Sequence, residues 1–407
     1  MSLIRPFKGL RPVPERAAEV VAPPYDVLNC AEARERAKDK PWSFLHISKA
    51  EIDLPTDTDP CDPAVYAKSA ENLQNMLAEG ILQRDAKDCY YVYRLIMNGH
   101  SQVGLVAVAS VADYDKNRIR KHEYTRPAKE NDRVRQIEAL NAQTGPVLLA
   151  YKSRPDLDAI LNQVASSQPL VDVTADDGVR HAFWAIDDDK TIARITAGFG
   201  AMEAIYIADG HHRSASASRV ARSKGGGGNA NSDYFLAVIY PHTQMKIMDY
   251  NRAITDLHGL GKDELLEKVL ASFTLRAESK AVSPGKEGEF GMYVKGQWYR
   301  LNIHAGLIPS DPVKRLDVSL LADYLIEPVL GISDPRSDAR IDFVGGIRGL
   351  GELEKRVNSG EMAIAFSMFP TSMKALMAVA DANQAMPPKS TWFEPKLADG
   401  LVSHVLD

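Results

Sequence analysis

The stretch Ala204–Ser223, AIYIADGHHRSASASRVARS, joins two segments of different character. Its apolar, β-forming beginning predicts the end of a buried strand, and its Ser- and Ala-rich continuation favours a helix. Between the two segments lies a run of polar residue types that are common in binding sites. These residues are Asp209, Gly210, His211, His212 and Arg213. The fold and the site are therefore both predicted around a strand-to-helix junction.

The residues of this junction are types that bind phosphate and its counter-ion. A helix that starts directly after a strand presents unpaired N–H groups, which form an anion site together with the helix dipole. Gly210 lets a ligand approach the backbone, Arg213 can bind phosphate oxygens in a bidentate manner, and Asp209 can hold Mg²⁺. The other predicted phosphate contacts are His211, His212, Ser214 and Ser216. We predict a cradle for the phosphates of a nucleotide and for Mg²⁺.

Two other interpretations of the junction stay open. In the first, Asp209 caps the helix and the histidines are satisfied by local hydrogen bonds. In the second, His211 and His212 are zinc ligands. The second interpretation is the weaker one, because the sequence has no His-Glu-x-x-His pattern and no cysteine pair with ligand spacing. The cysteines are Cys30, Cys61 and Cys89.

The composition narrows the class of protein. The chain has 407 residues and a formal net charge of −5, so extended non-specific binding of nucleic acid is disfavoured. An odd number of cysteines without a disulfide framework fits a reducing compartment. The N-terminus lacks the apolar core of a secretory signal, and no window approaches a membrane span. We expect a soluble, cytoplasmic protein.

The pattern along the chain predicts an α+β fold with mixed sheets and helices rather than a doubly wound sheet. The Asn98-Gly99 pair predicts a hairpin, residues 65–79 predict a helix that ends at Gly80, and SFLHIS (residues 43–48) predicts a short strand. We place a nucleotide-binding region at 1–255 and a second α+β region at 256–407, whose proline-rich tail is expected to return to the site.

Several blocks resemble a known family. They are IRPFKGLRP, VAPPYDV, SFLHISKAEIDLP, RKHEYTRPAKENDR, ADGHHRSASA, DFVGG and MPPKSTWFEPKLADGLV. In this order they are similar to the family catalogued as domain of unknown function 1015. The junction itself resembles the phosphate-binding signature of the ParB/sulfiredoxin-like fold, and within that fold the free-serine kinases. Their resemblance implies that Asp209 assists Mg²⁺ or the reacting hydroxyl, and that His212 and Arg213 bind phosphates.

Further candidate residues lie outside the junction. By resemblance to the free-serine kinases a carboxylate near the N-terminus acts as the base, for which we choose Glu51, with Asp26 as the alternative. His122 lies in the RKHEYTRPAKENDR block, where we expect it near the acceptor, although this block is also typical of a solvated charged surface. A proline-bracketed loop without the Walker A glycines is predicted to close over the nucleotide. Its candidate residues are Lys389, Ser390 and Thr391.

These observations predict a small-molecule kinase. The expected reaction is ATP- or ADP-dependent phosphorylation of free L-serine to O-phosphoserine, with Mg²⁺ bound at Asp209. The alternative is a non-catalytic, nucleotide-binding regulatory protein of the ParB type, which would need a basic surface and a helix-turn-helix that the sequence does not clearly contain. The oligomeric state stays open, with a homodimer among the alternatives.

Overall fold

The computed structural model describes residues 2–227 and 230–407. These residues divide into two compact units, Met1–Met245 together with Pro395–Asp407, and Lys246–Glu394. The boundary thus differs from the one expected near residue 255. Tyr250–Ile254 pairs with strands of the second unit, so the boundary lies before residue 250. Ser403–Val405 pairs with strands of the first unit, so the C-terminal tail belongs to that unit.

The described strands range in length from two residues in β1 to eleven in β5. In chain order they are β1 (Ile4–Arg5), β2 (Gly9–Pro12), β3 (Leu82–Arg84), β4 (Tyr90–Met97), β5 (His100–Ser110), β6 (Ile119–Arg120), β7 (Ala142–Gln143), β8 (Val147–Tyr151), β9 (Val171–Thr174), β10 (Arg180–Ile186), β11 (Ile205–Asp209), β12 (Tyr234–Pro241), β13 (Lys246–Met248), β14 (Tyr250–Ile254), β15 (Phe273–Glu278), β16 (Glu289–Val294), β17 (Gln297–Ile303), β18 (Ile341–Gly345), β19 (Ile364–Met368), β20 (Trp392–Glu394) and β21 (Ser403–Val405).

The helices lie between groups of these strands along the chain. They are α1 (Ala17–Val20), α2 (Cys30–Ala37), α3 (Leu45–Ser48), α4 (Pro63–Ala78), α5 (Val111–Asp115), α6 (Pro127–Leu140), α7 (Pro155–Ala165), α8 (Asp189–Gly200), α9 (His211–Ser223), α10 (Lys262–Val269), α11 (Asp317–Leu321), α12 (Glu327–Leu330), α13 (Leu350–Asn358) and α14 (Met373–Asp381). None of the described helices is long and apolar enough to cross a bilayer.

The first unit is organised around a large mixed sheet with the strand order β6-β11-β8-β12-β5-β4-β10-β9. Strands β11 and β6 are parallel, as are β12 and β8, whereas the other neighbours in this order are antiparallel. Strand β12 is buried along its whole length, as expected for a continuous apolar run in the middle of a sheet. The predicted α+β class is confirmed.

Strand β11 carries the junction into the site. Ile205, Tyr206 and Ile207 are fully buried, and the register with β8 shifts between Ile207 and Asp209. Such an irregularity bends a strand and re-aims the next side chain. The end of β11 therefore leaves the sheet where the polar residues begin.

Local signals predicted several elements correctly. Strands β4 and β5 form the hairpin, with Asn98 and Gly99 both at positive φ (50° and 77°), which is the geometry of a type I′ turn. Helix α4 covers most of the predicted residues 65–79, and Gly80 follows it at φ 66°.

The predicted strand at residues 43–48 is wrong. The segment contains helix α3, in which the Ser48 N–H donates to the Phe44 carbonyl. Phe44, Ile47 and Ser48 are buried, and their spacing places them on one side of a helical turn. Packing of this turn against α4 has overridden a short apolar pattern that is ambiguous by itself.

The second unit contains an antiparallel sheet with the order β15-β17-β16-β19-β14-β18 and a small ribbon of β13 and β20. Its core joins the sheet to α13 through Ala253, Val344, Leu353 and Ala365.

Candidate functional site

The strand-to-helix junction is built on one left-handed residue. Gly210 is the N-cap of α9, with φ 97° and ψ 27°, a conformation that costs little only for glycine. No side chain among the described residues caps the first turn of the helix, so the N–H groups of that turn can donate to an anion. A Cβ atom at Gly210 would lie 3.1 Å from Nε of Arg213. The glycine is therefore needed both for the turn and for the position of the arginine.

Asp209 lies at the end of β11 with its side chain about 41% exposed. Its Oδ1 accepts a hydrogen bond from Gly210 N at 2.9 Å, and its Oδ2 lies 3.4 Å from the Arg213 guanidinium. Burial of the surroundings raises the pKa of this carboxyl, but the charges of Lys396 and Arg213 outweigh that effect and hold the pKa below its ordinary value. Asp209 is thus an accessible carboxylate that stays ionised.

Arg213 lies beneath this carboxylate, and its side chain is only 12% exposed. The guanidinium donates to the carbonyl of Pro146 as well as to Asp209. Burial lowers its pKa, yet the surrounding carboxylates, Asp209 first among them, more than compensate and raise it. Arg213 is therefore a fixed, permanently charged group at the start of α9.

Asp399 is a member of the site that sequence reasoning did not single out. It is 2% exposed, and its backbone pairs with Ala22 in an isolated bridge, while its Oδ2 accepts from Tyr25 N at 3.3 Å. Burial raises the pKa of this carboxyl to about 7, against the opposing charge of Arg213. The only signal for it was its place in the C-terminal block that resembles the family.

Tyr25 and Arg133 complete this buried cluster. The Arg133 guanidinium lies 4.1 Å from the centre of the Tyr25 ring and 2.8 Å from the Asp132 carboxylate. Together with Arg213 and Asp399 they line a cavity of about 30 Å³. This volume holds about two water molecules and not a nucleotide. A nucleotide would therefore have to contact Arg213 from the side of the junction at which Asp209 is exposed.

The imidazoles of His122 and His211 are packed against each other. Their ring centres are 4.5 Å apart with the planes perpendicular, and His211 Nε2 accepts from His122 N at 3.4 Å. Burial lowers the pKa of His122 to about 4 and that of His211 well below its usual value. Both rings are therefore neutral near pH 7, and the 3.4 Å approach of His211 Nδ1 to the Glu123 carboxylate is not an ion pair.

The remaining residues of the helix start point in several directions. His212 is half-buried and its Nε2 accepts from the N–H of Arg126 at 3.1 Å. Ser214 donates to the His211 carbonyl at 3.0 Å, and Ser216 donates to the carbonyl of His212 at 2.7 Å. Both serines are fully buried, with their hydroxyls bound to backbone carbonyls. The predicted phosphate contacts of these serines need a rearrangement of those hydroxyls.

The two candidate bases occupy different surroundings. Glu51 is 5% exposed, and its carboxylate binds Lys49 at 2.8 Å and accepts from the Cys30 thiol at 3.4 Å. Asp26 is exposed, and its charge acts on both Arg213 and Asp399. The alternative candidate, Asp26, is thus the one that the structure brings to the Asp209–Arg213 cluster.

The predicted loop residues Lys389, Ser390 and Thr391 belong to the second unit. The Lys389 ammonium lies 5.5 Å from the Tyr250 ring, and the Ser390 hydroxyl donates to the Pro387 carbonyl. Lys396, from the same sequence block, belongs to the first unit and supplies the strongest charge that favours ionised Asp209.

The donor set suits a magnesium ion better than zinc. In the described part of the chain, no group of three or more His, Cys, Asp or Glu side chains is placed to hold a metal. Mg²⁺ usually binds through one or two carboxylates together with substrate phosphates, so a single accessible, ionised carboxylate such as Asp209 is a suitable partner. His211 and His212 turn to different partners and do not converge on one point.

Comparison with known proteins identifies the family of the chain. The sequence model of the family described as Protein of unknown function (DUF1015) matches residues 4–319. The chain belongs to this family. The match includes the Asp209–Arg213 junction and ends within the second unit. No curated protein matches this DUF1015 chain significantly.

Solved structures resemble the DUF1015 chain at low identity. A free serine kinase in complex with AMP is 13% identical, with a TM-score of 0.36 over 73% of this chain and 92% of that one. A C-terminally truncated SbnI from Staphylococcus aureus is 11% identical, with a TM-score of 0.37 over 73% and 86%. A conserved hypothetical protein from Pyrococcus furiosus is 14% identical, with a TM-score of 0.35 over 73% and 94%.

Proposed function

We propose that this protein transfers a phosphoryl group from ATP or ADP to the hydroxyl of a small molecule, with free L-serine as the first acceptor to test. The observation that carries the proposal is the half-exposed, ionised carboxylate of Asp209, which lies between a buried arginine and the uncapped first turn of α9. L-serine is chosen because the junction sequence resembles that of the free-serine kinases.

The donor phosphates would bind at the helix start. The N–H groups of the first turn of α9 and the guanidinium of Arg213 both favour an anion at this point. Gly210 leaves the backbone open to close approach. The half-buried His212 lies on the same turn and can donate once its contact with Arg126 N is released.

Asp209 would hold Mg²⁺ against the same phosphates. The ion would neutralise the charge that develops on the transferred group and keep the phosphates in line with the acceptor. For this chain the requirement is a carboxylate that is both accessible and ionised near pH 7. Lys396 and Arg213 provide it by holding the pKa of Asp209 down.

The reaction requires one proton acceptor. The acceptor oxygen forms a bond to the terminal phosphorus, the bond from that phosphorus to the bridging oxygen breaks, and the hydroxyl proton passes to a base. Asp26 is supported as the base by its electrostatic contact with the Arg213 cluster, and Glu51 by resemblance alone. The neutral His122 packs against the ring of His211 at the start of α9 and can orient that ring.

The test is direct assay of the purified protein. It is incubated with ATP or ADP, Mg²⁺ and a panel of hydroxyl-bearing amino acids, and phosphorylated product is followed by ³¹P NMR. We expect O-phosphoserine from the wild type and from the exposed control Asp263→Asn. In Asp209→Asn the rate should fall by about 100-fold or more, because an interaction with the transferring phosphates is lost. Absence of any phosphorylated small molecule, or an Asp209→Asn variant as active as wild type, contradicts the proposal.

A further inference from the structure

Tyr124 is the most exposed large apolar residue in the described part of the chain. It is 87% exposed, against 56% for Ile347, which comes next. Among the described residues its hydroxyl has no hydrogen-bond partner, and its ring makes no aromatic or cation–π contact. An aromatic ring left in water forgoes the free energy that coverage of its faces would provide. Since single exposed apolar side chains are common, the position of Tyr124 decides which ligand could cover it.

Tyr124 lies in the loop between strand β6 and helix α6. Two hydrogen bonds attach this loop to the first turn of α9. The N–H of His122 donates to Nε2 of His211 at 3.4 Å, and the N–H of Arg126 donates to Nε2 of His212 at 3.1 Å. Two residues of chain span at most about 7 Å, so the Cα of Tyr124 lies within that distance of the Cα atoms of both donors. Tyr124 is therefore close to the helix start at which we propose that phosphates bind.

The neutral state of the two histidines maintains these attachments. A backbone N–H can only donate, so Nε2 of His211 and of His212 must be an unprotonated, accepting nitrogen. Burial and, after it, the neighbouring basic groups lower the pKa of both rings, which keeps them neutral near pH 7. Pro127 at the start of α6 restricts the backbone beyond the loop. The loop that carries Tyr124 is thus held at both ends before any ligand binds.

The side chains on both sides of Tyr124 are engaged within the protein. The Glu123 carboxylate approaches Nδ1 of His211 at 3.4 Å. The Thr125 hydroxyl donates to the Glu130 carboxylate on α6. Tyr124 is therefore the side chain of this part of the loop that is left to interact with a ligand.

Cations follow Tyr124 along the chain. Arg126 and Lys129 are exposed, and the charges of both act on the ring of His212 in the first turn of α9. Together with Arg213 they favour the binding of phosphates near this turn. A ligand that covers the aromatic ring and also carries several negative charges would match both features. A nucleotide has this combination, because its base is flat and its phosphates are anionic.

We propose that Tyr124 is the residue on which the base of the bound nucleotide stacks, while the phosphates lie at the start of α9. The inference rests on the proposed binding of a nucleotide at that helix and adds the residue that contacts the base. Stacking uses the flat face of the tyrosine ring, so the hydroxyl is not needed. Stacking also acts on the base and not on the phosphates, so its loss weakens the binding of a nucleotide and leaves the binding of pyrophosphate as before.

Calorimetric titration of the full-length protein in Mg²⁺ tests the assignment, with ADP and inorganic pyrophosphate as probes. We expect the wild type to bind ADP at least about tenfold more tightly than pyrophosphate, because stacking on an aromatic side chain contributes that much per base. Tyr124→Ala should weaken ADP binding by about tenfold and leave pyrophosphate binding unchanged. Tyr124→Phe keeps the flat ring and should bind ADP within about twofold of the wild type. The exposed control Ile347→Ala should bind both probes like the wild type.

The outcomes distinguish stacking from a structural role of the loop. If Tyr124→Ala weakens ADP and pyrophosphate equally, the loop has been displaced and the inference is overturned. The inference is also overturned if Tyr124→Ala binds ADP like the wild type, if Tyr124→Phe is as weak as Tyr124→Ala, or if the wild type binds ADP no more tightly than pyrophosphate.

The same measurements separate this inference from the proposed phosphoryl transfer. If ADP binding depends on Tyr124 but no acceptor is phosphorylated, the proposed function fails and the stacking role stands. If a phosphorylated product forms and Tyr124→Ala binds ADP normally, the stacking role fails and the proposed function stands.

Discussion

Asp209 in the first unit and Asp317 in the second both lie among buried groups, and burial raises the pKa of each. At Asp209 the charges of Lys396 and Arg213 reverse the effect and leave the pKa below its ordinary value. At Asp317 no such cation is present among the described residues, and the pKa rises to about 7. The difference teaches that the neighbouring charges, more than depth of burial, decide which aspartate is an anion near neutral pH.

Asp399 refines this comparison. It faces the same Arg213 as Asp209 does, yet its pKa is raised to about 7 because it is almost completely buried and Asp26 adds a like charge. Lys396 and Arg213 together therefore hold the accessible carboxylate ionised, whereas the buried carboxyl of Asp399 has a pKa of about 7. Of these two carboxylates, Asp209 is the one that we propose for contact with a metal ion and phosphates.

The largest effect on stability is expected for substitution of Arg213, because Arg213 is a buried cation beside Asp209 and Asp317 has no such neighbour among the described residues. Arg213→Leu leaves Asp209 and Asp399 without it, and we expect a loss of stability of about 3–5 kcal/mol in urea unfolding. The matched control is Arg219→Leu on the same helix, because the Arg219 side chain is 41% exposed, against 12% for Arg213. Its 3.3 Å ion pair with Glu130 is expected to contribute less than about 1 kcal/mol. Equal losses of stability in the two variants would show that Arg213 does not stabilise the fold more than an exposed arginine of the same helix does.

The pH dependence of stability separates Asp399 from Asp209. The folded pKa of Asp399 lies above its unfolded value, so the folded state binds the extra proton and stability falls as pH rises from about 4 to 7. Asp399→Asn should remove this fall and be more stable than wild type at pH 8 by about 2–3 kcal/mol.

The contribution of Asp209 to stability changes with pH in the opposite direction. Its folded pKa is lowered, so its stabilising effect is present above the unfolded pKa and disappears as pH falls through the folded value. Asp209→Asn should therefore be less stable than wild type at pH 7, with the difference vanishing in acid. Thermal unfolding across pH 3–9 measures both variants, and pH profiles of the same sign would refute the division of roles between the carboxylates.

The smallest expected effect concerns the turn that separates Asp209 from α9. Gly210→Ala places a Cβ at φ 97° and 3.1 Å from Arg213 Nε, which we expect to cost about 2 kcal/mol. Gly178→Ala is the control, because Gly178 also has a positive φ (81°) but the added carbon would have no atom of the described residues within 4 Å. It should cost about 1 kcal/mol. If both substitutions lower the free energy of unfolding by the same amount, the contact between Gly210 and Arg213 does not constrain the turn.

The strand-to-helix junction and the hairpin at Asn98-Gly99 could be predicted because their signals are local. A buried apolar run followed by glycine, and a two-residue turn between alternating strands, are determined by neighbouring residues. Helix α3 could not be predicted in this way, since its burial against α4 is what decides between strand and helix.

The buried part of the site escaped sequence reasoning for a related reason. Asp399 lies near Arg213 because its backbone pairs with that of Ala22. A pairing between residues so far apart in the sequence leaves no local pattern from which it could be predicted. The same holds for Asp26, which the sequence left as an alternative and the fold brings near Arg213.

The most direct test of the account is calorimetric titration of ADP and ATP into the wild type and Asp209→Asn, each with and without Mg²⁺. The account predicts that the wild type binds nucleotide, that Mg²⁺ strengthens binding, and that Asp209→Asn loses the strengthening by Mg²⁺ while keeping its metal-free affinity. Failure of the wild type to bind either nucleotide, or the same dependence on Mg²⁺ in both proteins, would contradict it.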